Sequence, residues 1–120
     1  MEKGHKQLAA WRVAMDLARE TYAVVKQLPS EEKYGLASQM KRAAVSVPTN
    51  IAEGAARAGA RDSLQFFVIA RSSLSELDTH LTLCLEIGLL PAQACSTMQR
   101  LLDSADALLS GLIRHRRSLL

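Results

Sequence analysis

The stretch from Tyr34 to Arg57 constrains this chain most. At about 100° per residue, Leu36, Met40, Ala43, Val47 and Ile51 fall on one face of a helix. Gln39, Arg42, Ser46, Asn50, Glu53 and Arg57 line the adjacent face at spacings of three and four. A solvated helix face is ordinarily rich in Lys and Glu. This one mixes hydroxyl, amide, acid and guanidinium groups, which fits a face laid against other helices. Pro48 stands in its middle. A proline there removes one backbone hydrogen bond and crowds the carbonyl of Ala44, so a kink near Pro48 is expected. Ser46 is placed to bond backbone groups that such a kink frees.

The rest of the chain repeats the same periodicity. Leu8, Trp11, Met15, Ala18, Tyr22 and Val25 read as the seam of a first helix, and Pro29 ends it. Ser30 offers an N-cap to the second helix, with Glu31 and Glu32 in its first turn. A third helix starts near Asp62 or Ser63, with Phe67, Ala70, Leu74, Leu77, Leu81, Cys84 and Gly88 in its seam. Gly88 and Pro91 bracket its exit. In the fourth, Met98, Leu101, Ala105, Leu108 and Leu112 point inward, and fraying is expected after Ile113. The helices fall at about 6–28, 31–57, 62–88 and 91–117 of a single domain spanning 1–120. Short connections make neighbours antiparallel, so the expected fold is all-α, an up-down-up-down four-helix bundle. Scarce aromatics, 4% of residues, fit helices packed by aliphatic side chains.

Gln39-x-x-Arg42-Ala43-Ala44-x-Ser46-x-Pro48-x-Asn50-Ile51-Ala52-Glu53-Gly54 resembles the signature of the four-helix-bundle family encoded in 23S rRNA intervening sequences. Pro29-x-x-Glu32-x-Tyr34-Gly35-Leu36 and Ala70-x-x-Ser73-x-x-Glu76-Leu77 fit the same pattern. Two positions depart from it: Ser72 stands where that family usually has glycine, and Gly59 where a serine commonly caps the third helix. The resemblance implies the four-helix fold and assembly as ring-like homopentamers. One branch of similar proteins serves as accessory factors of diversity-generating retroelements, binding a reverse transcriptase and its RNA.

Several helices carry more apolar surface than one seam consumes. Leu102, Leu109 and Ile113 lie outside the expected seam of the fourth helix. A second apolar face is either a broad seam within the monomer or a partner surface. The resemblance favours the partner, so these three residues are the expected oligomer interface.

Catalytic constellations are missing from the pattern. His5, His80 and His115 sit at a terminus, mid-chain and the other terminus, with no nucleophile and orienter in reach. Glu53-Gly54-Ala55-Ala56 lacks the lysine of a phosphate loop. Glu76, His80 and Cys84 share a helix face, but the further ligands that a zinc or di-iron site needs are absent. We therefore expect neither an enzyme nor a metal or other cofactor. Cys84 and Cys95 flank the Gly88–Pro91 turn and read as reduced core thiols. No apolar run follows Met1 to Lys6 and none reaches membrane-spanning length, so a cytoplasmic protein without membrane contact is expected.

The polar stripe has a structural reading and a functional one. The second and third helices join near Gly59, so Arg42 should lie level with Glu76 and Ser46 with Ser73. Gln39, Arg42, Ser46, Pro48, Asn50, Glu53, Ser73 and Glu76 then form a half-buried seam that fixes register, with Arg42 and Glu76 paired. The alternative is a ligand or partner groove at the Pro48 kink.

Charge distribution is the most informative functional feature. The net charge is only +3. In an up-down-up-down bundle, however, Lys3, Lys6, Arg12, Arg57, Arg61, Arg114, Arg116 and Arg117 gather at one pole, against Glu2 and Asp62. Basic residues suit helix C-termini, which covers Arg57 and Arg114 to Arg117 but not Lys3, Lys6 and Arg12. Such a cluster attracts RNA or DNA backbones without reading sequence. The expected function is a non-enzymatic oligomeric helical scaffold with a basic pole that binds nucleic acid, as an accessory factor to a partner enzyme. The competing reading is a protein–protein adapter whose basic end meets an acidic partner.

Overall fold

The computed structural model describes residues 4–120. Among them lie four α-helices and no strand: α1 (Ala9–Val25), α2 (Leu36–Ala55), α3 (Ala60–Glu86) and α4 (Ala92–Ser118). Single 3-10 turns at Gly4–Gln7 and Ser30–Glu32 precede α1 and α2. Each helix packs on two neighbours, α1 on α2 and α4, and α3 on α2 and α4, while the diagonal pairs do not approach. With connections this short the four run antiparallel in turn, in a body 45 × 27 × 22 Å. No helix among the described residues is long and apolar enough to cross a membrane.

Local chemistry sets the boundaries. The second helix begins at Leu36 rather than near 31. Ser30 opens a 3-10 turn instead, and Glu32 Oε1 accepts the Leu36 amide at 3.4 Å. At the α3–α4 turn Gly88 takes φ +75°, which an L side chain rarely adopts. The Leu89 amide then reaches back to the Cys84 carbonyl at 2.8 Å, closing α3 as a Schellman-type cap. At the other end α4 does not fray after Ile113; it stays helical to Ser118, with His115, Arg116 and Arg117 in its last turn, where the dipole favours cations. The helix of α2 is continuous through Pro48.

The core holds the expected residues of α2 and α3: Met40, Ala43, Val47 and Ile51 against Phe67, Ala70, Leu74, Leu77, Leu81 and Cys84. In α1 and α4 Val25, Met98 and Ala105 are buried as expected, but the rest of the buried stripe is a different one. α1 buries Ala10, Ala14, Leu17, Thr21 and Val24, whereas Trp11, Met15 and Ala18 are half-buried and Tyr22 is exposed. The buried stripe lies one residue, about 100°, from the expected one. Alanines let helices approach closely, and Thr21 satisfies its hydroxyl on the Leu17 carbonyl at 2.8 Å, so its polarity does not exclude it.

In α4 the leucines come in adjacent pairs, 101 with 102 and 108 with 109, and Leu112 adjoins Ile113. The core takes the second member of each pair. Leu102, Leu109 and Ile113, expected at an oligomer interface, are 3%, 0% and 1% exposed and belong to the monomer core. Leu108 faces outward, and Leu101 and Leu112 are half-buried. A helix touching two neighbours needs an apolar arc wider than one stripe, and spacing alone does not say which edge is deepest.

The polar seam is real but short. Ser46 Oγ accepts from Ser73 Oγ at 2.8 Å and from Asn50 Nδ2 at 2.9 Å, and the same Asn50 nitrogen donates to the Ser46 carbonyl. The Ser46 hydroxyl thus bonds side chains rather than backbone freed by Pro48. Arg42 and Glu76 do not pair. Both are exposed, Arg42 has no hydrogen bond or ion pair among the described residues, and Glu76 lies 3.9 Å from His80 Nε2. The register is as expected, but these two positions lie at the water-facing edge, where leaving charges apart costs little. Gln39 and Glu53 are exposed as well, and Pro48 is buried.

At the end of the hairpin α2 and α3 close tightly. A Cβ on Gly54 would stand 2.6 Å from Phe67 Cε1 and 3.0 Å from the Ser63 carbonyl. Ser63, which is buried, donates its hydroxyl to the Gly54 carbonyl at 2.8 Å. Gly54→Ala should therefore cost about 1–3 kcal/mol by chemical denaturation, because a buried ring or the backbone must move. Ser46→Ala should cost about 1 kcal/mol, and Arg42→Ala or Glu76→Ala under about 0.5 kcal/mol each. A Gly54→Ala midpoint equal to the parent's would show that the helices are not in contact there. Leu109→Lys should unfold the chain by circular dichroism rather than dissociate a folded oligomer.

Candidate nucleic-acid interface

Three separate parts of the chain meet at one end of the bundle. The α2–α3 turn brings Arg57 and Arg61, the last turn of α4 brings Arg114, Arg116 and Arg117, and the start of α1 brings Lys6 and Arg12. The 3-10 turn at Gly4–Gln7 packs on both α1 and α2. Arg12 Nη1 donates to the Lys6 carbonyl at 3.2 Å, and the rings of His5 and Trp11 meet edge to face at 5.1 Å. Leu8 and Ala10 of this segment share a cavity of about 290 Å³ with Gly111, Leu112 and His115 of α4. Lys3 lies outside the described residues.

Arg116 is the residue that joins α4 to the hairpin. Its Nε donates to Ser63 Oγ at 3.2 Å, and its guanidinium lies 5.6 Å from the centroid of Phe67. Because the Ser63 hydroxyl is already donating to Gly54, its lone pairs are what Arg116 finds. One chain of contacts therefore runs from the α2 backbone through Ser63 to α4. Arg57 is fixed differently: its guanidinium lies 4.6 Å over the Phe66 ring, and Nη2 pairs with Glu53 Oε2 at 3.2 Å on the surface. Such stacking holds a guanidinium in place while leaving its edges free to donate. Arg57, Gly59, Ser63 and Arg116 line one small cavity of about 120 Å³, with no carboxylate in its wall. Arg61, Arg114 and Arg117 are exposed around it.

The sequence pattern placed the arginines but missed Ser63, Gly54, Phe66 and Phe67 as their supports. A signal was available. The register that sets Ser46 against Ser73 puts Gly54 level with Gln65, between Ser63 and Phe67, and adjacent Phe66 and Phe67 necessarily point 100° apart, enough to serve two arginines.

Elsewhere, the half-buried face of α1 forms a shallow apolar groove with α2. Trp11 and Met15 face Val45, Pro48, Thr49 and Ala52 across about 430 Å³. On the α3–α4 side, Asp78 and Asp103 both accept from Gln99 Nε2 at 3.1 Å. Among the described residues no group of three or more His, Cys, Asp or Glu side chains converges as metal ligands. Cys84 and Cys95 are both buried and free. Burial raises both thiols above their ordinary value of 9.0, and for Cys84 the nearness of Cys95 adds to it. Neither is poised as a thiolate nucleophile.

No curated protein matches the chain. The family model for the 23S rRNA-intervening sequence protein matches residues 6–111, which takes in all of α1, α2 and α3 and most of α4. With the four-helix architecture and the polar seam of α2 and α3 in place, the chain belongs to the 23S rRNA-intervening sequence protein family.

Proposed function

We propose that this protein is a non-enzymatic, oligomeric helical scaffold whose basic pole binds the phosphate backbone of RNA or DNA beside a partner protein. The observation that carries this reading is the convergence of arginines from the α2–α3 turn, the start of α3 and the end of α4 on one end of the bundle. These side chains are remote in sequence and meet only in this topology. The opposite end mixes signs: Lys26 and Lys33 stand there with Glu31, Glu32 and Glu86. A bundle with one basic end favours a polyanion in one orientation. Exposed aromatic side chains are few at the basic end, since Phe66 lies under Arg57 and Phe67 is buried, so stacking of single-stranded bases contributes little.

Assembly finds its support in α1 rather than α4. The Trp11–Met15 groove and the neighbouring Val45, 43% exposed, leave apolar surface that a second copy of the chain can cover. A closed oligomer repeats the basic pole around an axis, and avidity multiplies weak sites on one strand.

Light scattering at micromolar concentration should give a mass several times the 13.1 kDa of one chain, and Val45→Lys should lower it without loss of helicity. A monomeric parent overturns the scaffold. For the pole, changing Arg114, Arg116 and Arg117 together to alanine should weaken binding to every nucleic-acid sequence alike. It should also flatten a log–log salt dependence whose slope is about −0.9 per contacted phosphate. Lys26→Glu with Lys33→Glu, at the far end, should have a much smaller effect. If the parent binds neither RNA nor duplex DNA at low salt, the nucleic-acid reading falls and an adapter for an acidic protein replaces it.

A further inference from the structure

The geometry points to the cavity between the α2–α3 turn and the end of α4 as a discrete site for one backbone phosphate, gripped by Arg57 and Arg116. This rests on the reading of the basic pole as a nucleic-acid surface, and it names where on that surface the contact is made.

The two arginines differ from the others at this end. Arg61, Arg114 and Arg117 are exposed side chains that lend charge. Arg57 and Arg116 are each laid on a phenylalanine ring, at 4.6 and 5.6 Å, and each is held by a side-chain oxygen, Glu53 Oε2 or Ser63 Oγ. Ser63 is itself buried and anchored on the Gly54 carbonyl, so Arg116 hangs from the core of the hairpin. For Arg116, holding Nε spends one donor and leaves both terminal nitrogens, the edge that meets two oxygens of one phosphate, whereas Arg57 is held through Nη2 and offers its remaining donors. Long cationic side chains ordinarily lose rotamer freedom on binding an anion; here that cost is met when the chain folds.

The wall completes the selection. Its other residues are Ala58, Gly59, Ala60, Ser63 and Leu119, so the wall itself holds no carboxylate, and Glu53, outside it, occupies one terminal nitrogen of Arg57. A Cβ at Gly59 would meet nothing within 4 Å, which confirms that the mouth stands open. A volume of about 120 Å³ admits a tetrahedral oxyanion, and the wall offers no aromatic side chain on which a base could stack. The site therefore holds a phosphate without reading the base attached to it. It positions the strand across the turn, and the exposed arginines act on the phosphates to either side.

Binding of a fluorescein-labelled random duplex and a random RNA, followed by anisotropy across a salt series, tests this with three variants. Arg116→Lys keeps the charge but loses the fork and its bond to Ser63. Gly59→Glu puts an internal carboxylate at the mouth, at a position with open space and φ −95°. Gln65→Glu adds the same charge on an exposed position of α3 outside the cavity. Arg116→Lys and Gly59→Glu should each weaken binding by about threefold or more at low salt and reduce the salt slope by about one. Gln65→Glu should leave the slope as it is, and thermal melts should show all three folded. Two results overturn the site while sparing the basic pole. One is parent-like binding by both cavity variants. The other is inorganic phosphate binding, by calorimetry, that Arg116→Lys abolishes while duplex and RNA binding stay unchanged, which would make the cavity a free-phosphate site. A parent that binds no nucleic acid removes the pole and the site together.

Discussion

The arrangement of this bundle depends on how closely α2 and α3 approach at Gly54. A glycine there lets the Phe67 ring lie against the α2 backbone, at a separation where any Cβ would collide. The approach also brings Ser63 within 2.8 Å of the Gly54 carbonyl, a backbone acceptor near the end of α2 that takes the Arg57 amide at 3.2 Å as well. Further along the same interface the Ser46–Ser73 bond holds the pair in one register. A slip of one residue would turn Ser73 away from Ser46 and Phe67 away from Gly54, so the polar bond and the close packing select the same alignment. The individual energies are modest, about 1 kcal/mol for such a hydrogen bond. What they supply is specificity among alignments that an Ala- and Leu-rich seam tolerates almost equally.

This explains which parts of the fold were legible in the sequence. The stripes of α2 and α3 were readable because polar residues flank them at fixed spacing and mark the edge of the buried arc. In α1 and α4 nothing marks that edge. Trp11, Met15 and Tyr22 make a more conspicuous stripe than Ala10, Ala14 and Thr21, yet the small residues are buried, because helix axes come close only over small side chains. In α4 the leucine pairs make two stripes of equal apolarity, and the choice between them is made by α1 and α3, which a single helix does not encode. The Arg42–Glu76 pairing failed for a related reason: hairpin register fixes the height of a residue, but rotation about the helix axis decides whether it meets its neighbour or water.

The candidate site was legible as charge and not as geometry. Counting cations near helix ends located the pole, since the macrodipole and the connectivity both put arginines there. It did not separate Arg57 and Arg116, backed by aromatic rings, from Arg61, Arg114 and Arg117, which stand in water. That distinction comes from tertiary contacts: Ser63 reaches α4 only because α3 begins at Ala60, and Arg116 reaches Ser63 only because α4 remains helical to Ser118.

The pole and the register device are thus one piece of structure. The contacts that align α2 with α3 at Gly54 are the same contacts that seat Arg116 over Phe67 and against Ser63. A change that loosens the hairpin would also release the guanidinium, even where no charge is lost. Charge alone attracts a polyanion from a distance and is screened within about 10 Å at ordinary salt. A guanidinium fixed on the bundle core acts at contact, where screening is weakest and where the orientation of a bound strand is decided. Long-range attraction by the exposed arginines and short-range placement by the anchored ones are therefore separable contributions from a single end of the molecule.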